Sequence, residues 1–98
     1  MSNVDVTVEF VVAQGKKELR RHVARVDGTA VKTDADGPPD ITFTLTEADE
    51  QALRAGDLDL SVGFMRGQIK MAGDFGKLLH FLPLTAGTSP AVPVASLL

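Results

Sequence analysis

The sequence predicts an α+β domain: a five-stranded, largely antiparallel sheet with about two helices packed on one face. Three observations carry that reading. Val4, Val6, Val8, Phe10 and Val12 alternate with Asp5, Thr7, Glu9 and Val11, the period of a strand with one buried face. Phe75, Leu78, Leu79 and Leu82 fall at the i, i+3, i+4, i+7 spacing of a helix laid on a core. Between these signals, short alternating runs are separated by glycine turns, and one acid-led segment reads as a second helix.

Strand one spans about residues 4–13, and Gln14-Gly15-Lys16-Lys17 turns the chain. Strand two follows over 18–26, with Leu19, Val23 and Val26 available for burial. Its Arg20, Arg21 and Arg25 read as a solvated sheet face with cross-strand partners such as Glu9; an anionic contact is the other reading. Asp27-Gly28 signals a type I′ hairpin, with positive φ at both central positions, into a short strand over 29–33. Asp34 to Pro39 is a loop. Its Asp34 and Asp36 resemble the start of a calcium loop, but the twelfth position is Leu45, so calcium is not expected.

Strand four, 40–45, places Ile41, Phe43 and Leu45 on one face. Thr46 then caps a helix whose first turn carries Glu47, Asp49 and Glu50, suited to the positive end of the helix dipole rather than to a metal. Gly56 ends that helix. Leu58, Leu60, Val62 and Phe64 continue in alternation. Gly67 and Gly73 bracket a short strand, Gln68 to Ala72, with Ile69 and Met71 on one face. Asp74 caps the last helix, and Pro83 interrupts its regular ladder. Residues 1–85 form the expected domain. Residues 86–98, with two prolines and no charged side chain, form a tail that is flexible or draped over an apolar groove.

Composition narrows the function. Ninety-eight residues at 44% hydrophobic and 23% charged suit one soluble domain. A net charge of −3 argues against a nucleic-acid partner. Without cysteine there is no thiol nucleophile, thiolate metal site or disulfide. No metal or cofactor is expected. No leader pattern opens the chain and no apolar run reaches membrane-spanning length, so a cytoplasmic location is expected. No Ser-His-acid order with a glycine elbow is present. His22 and His80 are the two histidines, and His80 is the candidate acid or base should an enclosed pocket promote a reaction by shape.

The order of elements and four segments together resemble the sterol carrier protein type-2 family, the nonspecific lipid-transfer or sterol-binding domain. The segments are Val26-Asp27-Gly28, Asp40 to Asp49, Ala52 to Leu58, and Phe64 to Asp74, where the family has an apolar-flanked Gly-Lys-Leu-Lys and a Gly-Asp. The resemblance covers roughly residues 4–84. It departs from the family in starting directly on strand one, a minimal form lacking the usual N-terminal helix, and in a shortened link from Gly56 to Phe64. A second copy would cover the apolar surface that helix normally covers, so a homodimer is expected.

The resemblance implies binding and transfer of an apolar ligand (sterol, fatty acyl chain or phospholipid) between sheet and helices, with transient membrane contact and no catalysis. The implied walls are Val8, Phe10, Phe43 and Leu45 on the sheet, then Leu53, Leu60, Phe64, Ile69, Met71, Phe75, Leu78, Leu79 and Leu82. The same residue types fill any small α/β core, so the set marks a region rather than a site. The alternatives are a non-catalytic accessory or interaction module of a larger lipid or polyketide pathway, and a pocket that catalyses by shape.

Overall fold

The computed structural model describes residues 4–98. In chain order the elements are β1 (Asp5–Gln14), β2 (Lys17–Asp27), β3 (Ala30–Thr33), β4 (Ile41–Leu45), α1 (Glu47–Ala55), α2 (Leu60–Met65), β5 (Lys70–Gly73) and α3 (Phe75–Thr85), closed by a 3₁₀ turn at Val94–Leu97. The strands form one sheet in the order β3-β2-β1-β4-β5. Three pairings are antiparallel and one, β1 with β4, is parallel. The predicted class, a largely antiparallel five-stranded sheet covered by helices, is the observed one.

The parallel pair follows from a loop that crosses the sheet. After β3, Ala35 N–H donates to the Val23 carbonyl of β2 and Asp40 N–H to the Thr7 carbonyl of β1. The Asp40 carboxylate accepts from Thr7 N–H at 2.9 Å, which seats the start of β4 against β1. Register then brings Val8 to Ile41, Phe10 to Phe43 and Val12 to Leu45.

Strand alternation sorts the two faces. Val6, Val8, Phe10 and Val12 are fully buried beneath the helices, as are Ala24, Val26, Ile41 and Phe43. The other face carries Glu9, which receives Arg21 at 2.7 Å, and Asp5, which receives Arg25 at 2.9 Å. Arg20 does not join them. It lies opposite Val12, on the helix-covered side, because successive strand residues point to opposite faces. The expected cluster of three arginines is therefore divided between two faces.

Local chemistry sets the helix ends. Thr46 Oγ1 accepts from Asp49 N–H, and Gly56 at φ 79° closes α1 in the left-handed conformation. Asp74 accepts from Lys77 N–H and starts α3. That helix runs through Pro83 to Thr85, because a proline two residues from the end costs one backbone hydrogen bond while the Thr85 hydroxyl caps the Leu82 carbonyl at 2.8 Å. The alternation from Leu58 to Phe64 is not extended. Asp59 accepts from Ser61 and Val62 N–H and winds Leu60–Met65 into α2, a third helix. Six residues are too few to separate period two from period 3.6. At the β2–β3 hairpin, positive φ is confined to Gly28 (65°) rather than shared with a second central residue.

One contiguous core lies between sheet and helices. The Phe10 and Phe43 rings stack at 5.3 Å, and Phe43 meets Phe81 of α3 at 6.3 Å. No helix among the described residues is long and apolar enough to cross a membrane.

Candidate functional site

The thirteen predicted wall residues divide into three groups. Val8, Phe10, Phe43, Leu45, Leu53, Leu60, Ile69 and Leu78 are buried in the core. Phe64, Met71 and Leu82 pack partly buried against it. Phe75 and Leu79, one helical turn apart on α3, are each 57% exposed. The space directly under α3 is occupied by Phe81, fully buried against Phe43.

A cleft of about 460 Å³ lies to one side. Its floor is the end of α1 and the start of α2, with Leu53, Leu58 and Leu60. Thr85 at the end of α3 and Thr88, Pro90, Pro93, Val94 and Ala95 of the C-terminal segment border its other side. Leu53 and Leu60 are the two predicted wall residues that line it. Arg54 and Asp59 are its charged members, and Asp59 is engaged as the α2 cap.

The C-terminal segment forms this roof by burying its own apolar side chains. Val92, Val94 and Leu97 are 1%, 8% and 1% exposed. Polar contacts holding the segment to the domain include Val92 N–H to the Leu84 carbonyl, 2.8 Å, and Arg54 to the Leu98 carbonyl, 3.4 Å. A second cavity of about 250 Å³ sits beyond it, lined by His22, Val23, Thr33, Asp34, Arg54, Leu97 and Leu98. The segment therefore stands between two cavities that share Arg54.

Polar chemistry concentrates at one point on the helix-covered side. Glu50 of α1 is 2% exposed, and its carboxylate receives Arg20 at 2.7 Å and His22 Nε2 at 2.7 Å. Arg20 also reaches Glu47 at 3.0 Å. Burial alone would raise the Glu50 pKa, but the hydrogen bonds and charges of Arg20 and His22 outweigh it and hold the carboxyl below its ordinary value. This network is saturated by its own members and serves to dock α1 on β2. His80 is exposed on α3. Among the described residues no cluster of three or more His, Asp or Glu is arranged to hold a metal ion.

Sequence reasoning passed over Phe81, Leu58 and the buried residues of the C-terminal segment. Phe81 lies three residues after Leu78 on the same stripe, so its signal was present. For Val92, Val94 and Leu97 the available signal was the absence of charge around them.

A mixed five-stranded sheet with its helices on one face, beside a lateral cleft lined by both polar and apolar residues, is a fold this chain shares with sterol carrier proteins. The chain belongs to the SCP-2 sterol transfer family, the match extending over residues 2–85. No curated protein matches it in sequence. Among solved structures it is similar to sterol carrier protein 2 of Aedes aegypti in complex with the C16 fatty acid palmitate. That likeness has 18% identity and a TM-score of 0.57, covering 88% of this chain and 77% of that one. It is also similar to the apo form of sterol carrier protein 2 from Yarrowia lipolytica, at 20% identity and a TM-score of 0.56, covering 79% and 69% of the two chains. A third likeness is to the inverting sec-alkylsulfatase Pisa1 of a Pseudomonas species, at 25% identity and a TM-score of 0.54. It covers 88% of this chain, which spans only 14% of the length of that enzyme.

Proposed function

We propose that this protein is a non-catalytic carrier that binds a long apolar ligand, of the acyl-chain or sterol class, in the cleft between the α1–α2 junction and the C-terminal segment. The observation that carries this reading is the cleft itself, about 460 Å³, floored by Leu53, Leu58 and Leu60 and roofed by residues of the C-terminal segment. That volume falls in the range of small-ligand sites, ~300–1,000 Å³. Arg54, the one cation among its lining residues, already lies 3.8 Å from the Glu50 carboxylate and 3.4 Å from the Leu98 carbonyl, so an acidic ligand head would share it. Family membership supports the ligand class, as does the palmitate-bound relative.

Titration with a fluorescent fatty acid in vesicle-free buffer tests the reading, together with native mass spectrometry of protein taken straight from its host. Micromolar uptake, reduced by Ala95→Trp, is the expected result, because a bulky ring at exposed Ala95 fills the cleft without entering the core. Absence of any displaceable apolar ligand in both measurements would remove it. A second copy of the chain remains the other expected partner, and sedimentation velocity reports on it directly.

The likeness to part of a sec-alkylsulfatase supports a second reading, an accessory module that serves a larger enzyme handling alkyl substrates. Rate enhancement of such an enzyme by the isolated domain, without ligand uptake by the domain alone, would favour it.

A further inference from the structure

The second cavity, of about 250 Å³, differs from the cleft in chemistry. Four polar residues border it: His22 of β2, Thr33 at the end of β3, Asp34 just after it, and Arg54 of α1. Leu97 and Leu98 close it from the C-terminal segment. His22 Nε2 donates to Glu50 at 2.7 Å, and no hydrogen bond among the described residues engages its Nδ1. Thr33 and Asp34 are exposed, and their side chains make no hydrogen bond or ion pair among the described residues. Asp34 is also the one non-glycine residue at positive φ among the described residues, at 55°. A carboxylate therefore stands at this cavity where glycine would fit with least strain.

Arg54 borders both the cavity and the cleft, and the turn Val94–Leu97 stands between them, with Val94 and Ala95 on the cleft and Leu97 on the cavity. The guanidinium is held by two long contacts, 3.8 Å to Glu50 and 3.4 Å to the Leu98 carbonyl, so it swings aside without breaking a strong bond. A chain lying on Leu53, Leu58 and Leu60 then carries its head past Arg54 into polar surroundings. Charge selects the head. Arg54 already faces Glu50, and Asp34 adds a second acid, so a carboxylate or phosphate meets no surplus of positive charge there. Hydroxyl groups fit this mixture because each both donates and accepts. They accept from Arg54 and donate to Asp34 and to Nδ1 of a neutral His22 ring.

We infer that the cavity bounded by His22, Thr33, Asp34 and Arg54 is a head-group site for a single-chain acyl ester of a polyol, such as a monoacylglycerol. This rests on the carrier reading for the acyl chain and adds the polar half of the ligand. The chain takes the cleft, the ester lies at Arg54, and the free hydroxyls take the cavity.

Displacement of a bound fluorescent fatty acid tests the proposal, with palmitate and 1-monopalmitoylglycerol as competitors below their micelle-forming concentrations. The glycerol ester is expected to displace the probe at a concentration about fivefold or more lower, the effect of roughly one added hydrogen bond. Asp34→Gly removes the carboxylate at a backbone conformation glycine favours, so the fold is kept. It is expected to abolish the preference while leaving palmitate within about twofold of the parent. Thr33→Trp fills the cavity from an exposed strand position and is expected to do the same. Equal displacement by the two competitors in the parent would overturn the proposal, as would a preference that survives both variants. Palmitate uptake without preference removes this inference and leaves the carrier reading. Failure of the probe and both competitors to bind removes the two together.

Discussion

His22 Nε2 and a carboxylate oxygen of Glu50 lie 2.7 Å apart, joining the middle of β2 to the first turn of α1 across the helix-covered side of the sheet. The other Glu50 oxygen receives Arg20 through two nitrogens, at 2.7 and 3.0 Å. A buried carboxylate is tolerated only when its lone pairs are filled, and here they are. The pair therefore sets where α1 sits, and with it the floor of the cleft.

Removing Glu50 should be costlier than removing any surface acid. Glu50→Ala leaves His22 without its acceptor and the half-exposed Arg20 with Glu47 alone, and is expected to cost about 2–3 kcal/mol. Arg21→Ala, on the solvated face, is expected to cost clearly less, because solvent screens its ion pairs. Urea unfolding of the two variants gives the comparison, and equal losses would show that the buried network does not dock α1.

The same carboxylate imposes a pH dependence. Glu50 is held below its ordinary 4.5, so its contribution is present above that pH and disappears as pH falls through the lowered value. Asp5 and Glu18, lowered by hydrogen bonds from Arg25 and Arg21, titrate in the same acid window. Glu50→Gln should accordingly flatten, without abolishing, the loss of the urea midpoint as pH falls below 4.5. Parallel curves for parent and variant would exclude Glu50 as a source of the acid sensitivity.

Phe81 is the helix side of an aromatic column that begins at Phe10. Phe81→Ala empties a fully buried site and is expected to cost about 3–5 kcal/mol. Calorimetry reads this directly. A loss below about 1 kcal/mol would mean that the space under α3 collapses easily or already holds something other than Phe81.

Gly73 sits at φ 118°, and a Cβ there would collide with the Asp40 carbonyl, the acceptor of Asp74 N–H. Gly73→Ala should cost about 2 kcal/mol or more and detach the β5 edge. Amide exchange should show Asp74 N–H losing protection before the β1–β2 amides. Uniform loss across the sheet would argue against a local effect.

The C-terminal roof is held by Val92, Val94 and Leu97. Leu97→Asp should release it, because a carboxylate cannot remain unpaired in that site, and limited proteolysis should then cut within residues 86–98 while the domain survives. A fully protected segment in Leu97→Asp would show that the leucine does not anchor it.

Much of this molecule was legible in order along the chain. The alternation of β1, the Thr46 and Asp74 caps, and the Gly56 stop are local devices, and local devices are written in neighbouring residues. The four segments of family resemblance led to the fold for the same reason. The sequence by itself thus determined the elements other than α2, their order, and the strand faces they bury. Tertiary structure decided which stripe meets which. It filled the space under α3 with the Phe10–Phe43–Phe81 column, wound Leu60–Met65 as a helix, and divided Arg20 from Arg21 and Arg25. It also laid the uncharged C-terminal segment over the α1–α2 junction, opening the cleft there. Burial is non-directional, so a hydrophobic pattern says that a side chain leaves water but not which surface receives it. That choice depends on volumes and contacts between residues far apart in sequence, and it exists only once the chain has folded.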